Sequence, residues 1–319
     1  MSAALPLFSI IICTYNRVHN LRTALDSAFR QEFDAHDYEI IVVDGNSTDG
    51  TRDFVLGCLE AHENLSYVNE EKPGLSFARN RGWQISKGKY TAFIDDDCKA
   101  PHDWLSRAAE IVERFSPDAF GGPFYASYNG KKPAWWKDAY GSRKPLQEAR
   151  MLKDGEYLFG GNLFLRTSLL GALGGFSPAF GPVGRKLGVG DETELLVRLR
   201  ASGRPPSIYY DPDLFAYHLV HPDRMTLRWA FFFNLRAGKY YRAYREAVPE
   251  KTPGRSIRLV LKIVRETGVM VVRAGGVIFR DRGRYPFWQN YFYEVVAPRA
   301  YRLGRAVEQL TEPAIRIPG

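Results

Sequence analysis

Three consecutive carboxylates, Asp95-Asp96-Asp97, follow directly on the run Tyr90–Ile94. Thr91, Ala92, Phe93 and Ile94 have the composition of a strand buried on both faces. Adjacent acids repel one another and cost stability unless a cation neutralises them. Two readings fit. One is an oxygen-ligand site for Mg2+ or Mn2+ shared with phosphates, at the carboxyl edge of a parallel sheet, where open α/β folds bind ligands. The other is a solvated acidic turn with a helix N-cap in it.

The elements that must carry those acids are legible around them. Phe8–Cys13 and Tyr38–Val43 are nearly all-apolar, β-branched runs, hence buried strands, and Leu65–Asn69 is a shorter one. Asn20–Arg30, Thr51–His62 and Leu75–Ser86 read as helices between them. Strands alternating with helices across short loops predict a mainly parallel sheet with right-handed crossovers. Beyond the acids, Pro101–Phe115 reads as a helix, Ala119–Ser127 as one strand, and 129–150 as a long surface loop with some helix and the character of a lid. Phe159-Gly160-Gly161-Asn162 offers small residues past which a ligand can approach the backbone. Gly188-Val189-Gly190 falls in another loop, Asp191–Ser202 is a helix ended by Gly203, and Ile208–Tyr210 and Phe215–His218 are short strands.

Composition sets the outer limits. An apolar share of 45% and a charged share of 25% over 319 residues are ordinary for a globular chain. Three scattered cysteines argue against a disulfide framework and for a reducing compartment. Met1–Pro6 lacks the basic-then-apolar pattern of a signal peptide. No Gly-x-Gly-x-x-Gly follows the first strand, so the ordinary dinucleotide fingerprint is absent. The net charge of +8 is uneven: residues 219–319 hold 19 Lys/Arg against 8 Asp/Glu, and residues 1–218 hold 25 against 28. That asymmetry calls for an anionic partner of the carboxyl-terminal part.

The order of motifs resembles the family 2 glycosyltransferases with a GT-A fold. The resemblance spans about residues 6–235. It rests on Cys13-Thr14-Tyr15-Asn16-Arg17, on Val43-Asp44-Gly45-Asn46-Ser47-Thr48-Asp49-Gly50-Thr51 and on Gly74-Leu75-Ser76-Phe77-Ala78-Arg79-Asn80-Arg81-Gly82. Phe93-Ile94-Asp95-Asp96-Asp97, Gly174-Gly175-Phe176, Asp191-Glu192 and His218 follow in the family's order. The fold it implies is a Rossmann-like, mainly parallel α/β sheet flanked by helices. A catalytic region over 1–220 has a nucleotide half (about 1–100) and an acceptor half (about 101–220), and a helical extension covers 221–319.

The resemblance also implies roles. Thr14, Tyr15 and Asn16 border the nucleotide of a sugar-nucleotide donor, Asp44 accepts a hydrogen bond from uracil, and Arg79 lies near the nucleotide. Asp49 is better placed as a turn or cap residue. Asp95 and Asp97 match an Asp-x-Asp motif, with Asp95 toward ribose or metal, Asp97 on the metal, and Asp96 at the variable position. His218 resembles a late histidine that completes the metal site, with Mn2+ or Mg2+ as the ion. The family's Glu-Asp-x-Asp-Leu pattern appears here as Asp191-Glu192-Thr193-Glu194-Leu195, so the general base falls on Glu192, with Asp191 beside it. Met225-Thr226-Leu227-Arg228-Trp229 lies where processive members carry Gln-x-x-Arg-Trp. With Met in place of Gln and no membrane span, a single-addition transferase is expected. Trp135, Trp136, Arg228 and Trp229 are acceptor-side candidates.

Residues 225–245 and 256–279 read as helices. On the second, Arg258, Lys262, Arg265, Glu266 and Arg273 fall within about 100° of arc, and apolar residues cover the rest. No apolar run reaches the ~20 residues of a membrane span. The composition suits a helix lying on an anionic membrane surface, or equally one packed on the protein. The expected whole is a cytoplasmic, metal-dependent, inverting transferase, peripheral on the inner face of the cytoplasmic membrane. Its acceptor is a glycan or lipid-linked hydroxyl, and its work cell-surface polysaccharide synthesis. A catalytically degenerate scaffold of a glycan assembly complex is the alternative. No nucleic-acid partner is expected, because no reading motif is present.

Overall fold

The computed structural model describes residues 5–182, 190–203, 205–240 and 253–311. Gly188, Val189 and the last residues of the helix expected over 225–245 lie outside that set. In chain order the elements are β1 (Phe8–Thr14), α1 (Val18–Phe29), β2 (Tyr38–Asp44), α2 (Thr51–Cys58), β3 (Leu65–Asn69), α3 (Leu75–Ile85), β4 (Tyr90–Ile94), β5 (Cys98–Lys99) and α4 (Trp104–Phe115). Then come β6 (Ala119–Gly121), β7 (Phe124–Ser127), α5 (Asp138–Gly141), β8 (Arg150–Met151), β9 (Asn162–Arg166), α6 (Thr167–Leu173), α7 (Asp191–Ala201), β10 (Ile208–Tyr210) and β11 (Ala216–Leu219). The last helices are α8 (Leu227–Tyr240), α9 (Pro253–Gly275), α10 (Trp288–Tyr291) and α11 (Ala297–Thr311).

The chain divides into two units. The first comprises 1–127 and 141–219, the second 128–140 and 220–319. In the first, eight strands form one sheet in the order β3-β2-β1-β4-β9-β6-β10-β8. Strands β3, β2, β1 and β4 run parallel. The continuous apolar runs are explained by covering helices on both faces. Ile10, Ile12, Ile40, Val42, Ala92 and Ile94 face one core with Leu21, Leu25 and Leu105 of α1 and α4. Their neighbours Ile11, Ile41, Val43 and Phe93 face the other, with Ala78 of α3 and Leu195, Leu196 and Leu199 of α7.

Two features depart from the strand pattern read in the sequence. β9 runs antiparallel between β4 and β6, with Asn162 opposite Ile94, which brings Gly160-Gly161 back to the edge where β4 ends. The run 119–127 is two strands, because a side chain on Gly122 would lie 1.9 Å from the Leu214 carbonyl oxygen and Pro123 has no N–H for a ladder. β6 stays in the large sheet. β7 joins a small one, β5-β11-β7, in which His218 pairs with Cys98.

The second unit is helical. α8 and α11 cross at small residues: a side chain on Gly304 would lie 1.9 Å from the Leu235 carbonyl, and one on Gly238 2.0 Å from that of Tyr301. Residues 128–140, most of them in the first half of the surface loop expected over 129–150, are bound to the carboxyl-terminal helices, and the helix expected in that loop is α5. Asn290 Nδ2 donates to the Trp135 carbonyl at 2.5 Å and Tyr140 stacks on Tyr293 at 4.1 Å.

Candidate active site

The parallel strands β1, β2 and β4 end at one edge, at Thr14, Asp44 and the three aspartates. Asp96 is buried. It accepts a hydrogen bond from Thr14 Oγ1 at 2.8 Å and pairs with Arg17 Nη1 at 3.1 Å. Burial and then Asp97 push its carboxyl up to about 7, against the pull of Arg17 and Thr14. The variable position is therefore the strut that ties β4's end to the loop after β1. Asp97 lies 3.5 Å from the same Arg17 nitrogen and 3.6 Å from His218 Nε2. Arg17 was given no role by the sequence; three adjacent acids requiring cations was the signal for it.

Asp95 turns toward α3. Its Oδ1 lies 3.2 Å from Arg79 Nη2, while Arg79 Nη1 meets Asp191 Oδ2 at 2.8 Å. The Arg79 guanidinium is 4% exposed and the Asp191 carboxylate 3%. Burial opposes the arginine's charge, but Asp191, Asp95 and Glu192 outweigh it and raise its pKa. Phe176 and Phe93 flank it, at 5.3 and 5.9 Å from the guanidinium carbon. The structure thus puts Arg79 in ion pairs with two of the site's acids. The two glycines beside it serve the protein's own side chains: a Cβ on Gly161 would lie 2.4 Å from Asp95 Oδ2, and one on Gly160 2.8 Å from Arg79 Nη2.

Asp191 and Glu192 occupy the first turn of α7, where the helix dipole favours negative charge. Glu192 is partly buried. Lost hydration, then the charge of Asp191 and a hydrogen bond with it, push its carboxyl up to about 8, against the pull of Arg79. The third acid of the motif has another task. Glu194 is buried and grips Arg198 at 2.5 and 2.7 Å, and Arg198 Nη2 donates to the Gly175 carbonyl at 2.7 Å. Asn80 holds the same loop from α3, donating to the Phe176 carbonyl and accepting its N–H, both at 2.8 Å. Gly174-Gly175-Phe176 is thereby the splice that fixes α7 to α3. Asn80 and Arg198 were missed because the loop they hold is distant in sequence: Gly175 lies 23 residues from Arg198, and Phe176 96 residues from Asn80.

At the end of β2, Asp44 is buried, accepting from the Ser47 N–H and Tyr67 hydroxyl, both at 2.9 Å. Burial first, then Asp44, push the Tyr67 hydroxyl up to about 12. Tyr15 is exposed, and Asn16, at φ +51°, accepts from the Thr48 N–H at 2.7 Å. Asp49 accepts from Val18 N–H, Thr51 N–H and Thr51 Oγ1, joining the starts of α1 and α2. The acceptor-side candidates belong to the second unit. Trp136 is buried, with its N–H donated to Tyr128, and Trp135 is half-buried. Arg228 is exposed, and Trp229 stacks on Phe233 at 4.7 Å.

One atom each from Asp95, Asp97 and Cys98 lie within 4.8 Å of one another, the one such group among the described residues. Cys98 escaped the sequence reading. Burial, Asp97 and Asp95 raise its thiol's pKa well above the usual value, and a protonated thiol is a poor ligand for a hard ion. Two carboxylates, with the His218 imidazole 3.6 Å from one of them, are a donor set that Mn2+ or Mg2+ accepts.

A large sheet with helices on both faces, its acids collected at the edge where β1, β2 and β4 end, is a GT-A architecture, and solved structures share it. The chain superposes on the TarS 1-349 fragment from S. aureus, crystallised with UDP, with a TM-score of 0.54 at 16% identity, covering 93% of this chain and 90% of that one. It superposes on the mannosyltransferase PcManGT from Pyrobaculum calidifontis, in complex with GDP-Man and Mn2+, with a TM-score of 0.51 at 18% identity, covering 96% and 74%. The sequence profile of glycosyl transferase family 2 matches residues 9–174, more than half of the chain, and the chain belongs to that family. It is 31% identical to glycosyltransferase AglE of Haloferax volcanii over 178 residues, 55% of this chain and 58% of AglE. It is 26% identical to the succinoglycan biosynthesis protein ExoM of Rhizobium meliloti over 231 residues, 72% of each chain.

Proposed function

We propose that the chain transfers one sugar, with inversion, from a nucleotide-sugar donor to a hydroxyl of a glycan or lipid-linked acceptor in polysaccharide synthesis. The observation that carries this reading is the pairing of two acid clusters through one buried arginine: Asp95 and Asp97 at the end of β4, Asp191-Glu192 on α7, Arg79 between them. UDP is the nucleotide proposed, in keeping with the UDP bound to the TarS fragment and with Asp44 at the end of β2. Family 2 membership, the name of ExoM and the Mn2+ of PcManGT support the reading.

Asp97, Asp95 and His218 would hold the ion, which supplies positive charge against the diphosphate as it leaves. Glu192 takes the acceptor hydroxyl's proton as the oxygen attacks the anomeric carbon. The new C–O bond forms as the bond to the diphosphate oxygen breaks, and the nucleoside diphosphate departs with that electron pair. Burial, and then Asp191 held by Arg79, keep Glu192's proton affinity high, which suits it to accept a proton near neutral pH. A single displacement of this kind inverts the anomeric centre.

The test is a thermal-shift panel of UDP-, GDP-, dTDP- and CDP-sugars with and without Mn2+, followed by donor hydrolysis assays on whichever binds. Binding to the native state raises the melting temperature with occupancy. A Mn2+-dependent rise with one nucleotide class is expected. No rise and no hydrolysis with any donor overturns the proposal, and unchanged glycan output from cells carrying Glu192→Gln favours a scaffold instead.

A further inference from the structure

Helix α9 is mounted with its apolar side outward. Its inward side carries Leu259 and, more unusually, Glu266, a carboxylate 2% exposed. Arg265 Nη2 holds Glu266 Oε1 at 2.8 Å, and Arg299 of α11 lies 3.5 Å from Oε2. Although burial opposes it, these arginines lower the Glu266 pKa, so the carboxylate stays ionised inside the unit. Glu266 therefore fixes which side of α9 faces the protein. The opposite side presents Ile257, Leu261, Val264, Val271 and Val272, exposed by 62 to 75%. At 100° per residue those five span about 100° of arc, a continuous stripe along a helix about 35 Å long. The turn that follows adds Phe279, 89% exposed.

The surroundings of the stripe say what covers it. Arg258 and Arg265 are exposed and lie along one border, and the turn continues into exposed Arg282 and Arg284. Beyond them Phe287 and Trp288 are exposed at the start of α10. An apolar face bordered by arginines, with an indole at one end, complements acyl chains below and anionic headgroups beside them. A dimer seam would instead set these positive borders against each other. No helix among the described residues is long and apolar enough to cross a membrane.

We propose that α9 lies flat in the interface of an anionic bilayer, inserting the Ile257–Val272 stripe and the Phe279 turn, with Arg258, Arg265, Arg282 and Arg284 against the lipid phosphates. The surface rests on the second unit alone and does not depend on the transfer chemistry.

The full chain is sedimented with sucrose-loaded vesicles of phosphatidylcholine, with or without about one-third phosphatidylglycerol. Wild type is expected to bind the anionic vesicles at least about tenfold better than the neutral ones, and to release as salt is raised. Val264→Glu/Val272→Glu, two exposed positions, is expected to lower binding about tenfold while leaving the thermal melt and donor hydrolysis unchanged. Arg282→Gln/Arg284→Gln is expected to lower it severalfold and flatten the salt dependence. Equal binding to neutral vesicles, no binding, or full binding by the valine variant overturns the proposal. So does a concentration-dependent dimer, seen by light scattering, that the valine variant abolishes. Because no donor or acceptor is present, failure here leaves the transferase reading standing, and failure of that reading leaves this one.

Discussion

The two acid clusters of the first unit are built from the same carboxyl groups and are neutralised differently. At the end of β4, three aspartates share Arg17, Arg79 and His218. On α7, Asp191 has Arg79, while burial and the neighbouring Asp191 push Glu192 up to about 8. Each cluster holds one carboxyl pushed toward neutral pH, Asp96 to about 7 and Glu192 to about 8, but Asp96 is tied to Arg17 and Thr14, whereas the hydrogen bond of Glu192 is with another acid, Asp191. In the proposed reading, the difference matches a division of labour: cation and diphosphate at Asp95–Asp97, acceptor proton at Glu192.

Removing each pole's defining group gives the largest effects. Glu192→Gln is expected to cut transfer roughly 100- to 10,000-fold, the usual worth of a positioned base, while leaving the Mn2+-dependent thermal shift by donor intact. Asp97→Asn is expected to cut transfer as deeply and to abolish that shift. If the two variants lose the shift together, the poles are not separable and the comparison fails.

Next in size is the link between them. Arg79 is buried between Asp95 and Asp191, so Arg79→Met strands a carboxylate in the interior. That is expected to destabilise the fold by about 3–5 kcal/mol, read from urea denaturation. The partly exposed Asp95 recovers some hydration, whereas Asp191, 3% exposed, does not. Arg79→Met/Asp191→Leu is therefore expected to be more stable than Arg79→Met alone. If it is not, Asp191 is not what Arg79 neutralises.

How much of this was legible in the sequence follows the same physics. β1, β2 and β4 are apolar on both faces, so their ends, and the acids there, were readable. The glycines at 160 and 161 were legible as places of close approach, but only the antiparallel β9 shows that Asp95 and Arg79 occupy the space. Arg79's bridge to Asp191 spans 112 residues and has no local signature. In the second unit a helical wheel sorted the faces of α9, yet it carries no information about which face is inward. That was decided by Arg299 meeting Glu266 from another helix. Local pattern fixes an element; the partner that neutralises a buried charge fixes how the element is mounted.

The proton-accepting pole is also expected to show in pH dependence. Glu192's pKa is raised from 4.5 to about 8 on folding, so between those values the folded chain holds a proton that the unfolded chain has lost. Its contribution to stability is then fully present below pH 4.5 and is lost as pH rises through about 8. Glu192→Gln is expected to melt higher than wild type above pH 8 and to lose that advantage below pH 4.5. Transfer runs the opposite way, rising as Glu192 ionises, and Asp191→Asn is expected to move that rise to lower pH. A pH–rate profile unmoved by Asp191→Asn removes Asp191 from the role of raising the base.

The smallest effect separates holding charge from binding metal at the first pole. Arg17 lies 3.1 Å from Asp96 and 3.5 Å from Asp97 while its side chain is 45% exposed, so solvent screens its pairs to about 1 kcal/mol or less. Its positive charge competes with any cation for Asp97. Arg17→Gln is expected to lower the half-saturating Mn2+ concentration for donor hydrolysis by severalfold, no more than about fivefold at that energy. Screening also makes the effect shrink as salt is raised. Thr14→Val, which removes a neutral hydrogen bond to the same Asp96, changes no charge and is the control. If both variants shift the Mn2+ requirement alike, the cause is the orientation of β4's end. If only Arg17→Gln does, the arginine stands in for part of the cation's charge at Asp97, and the first pole is tuned by competition between the two.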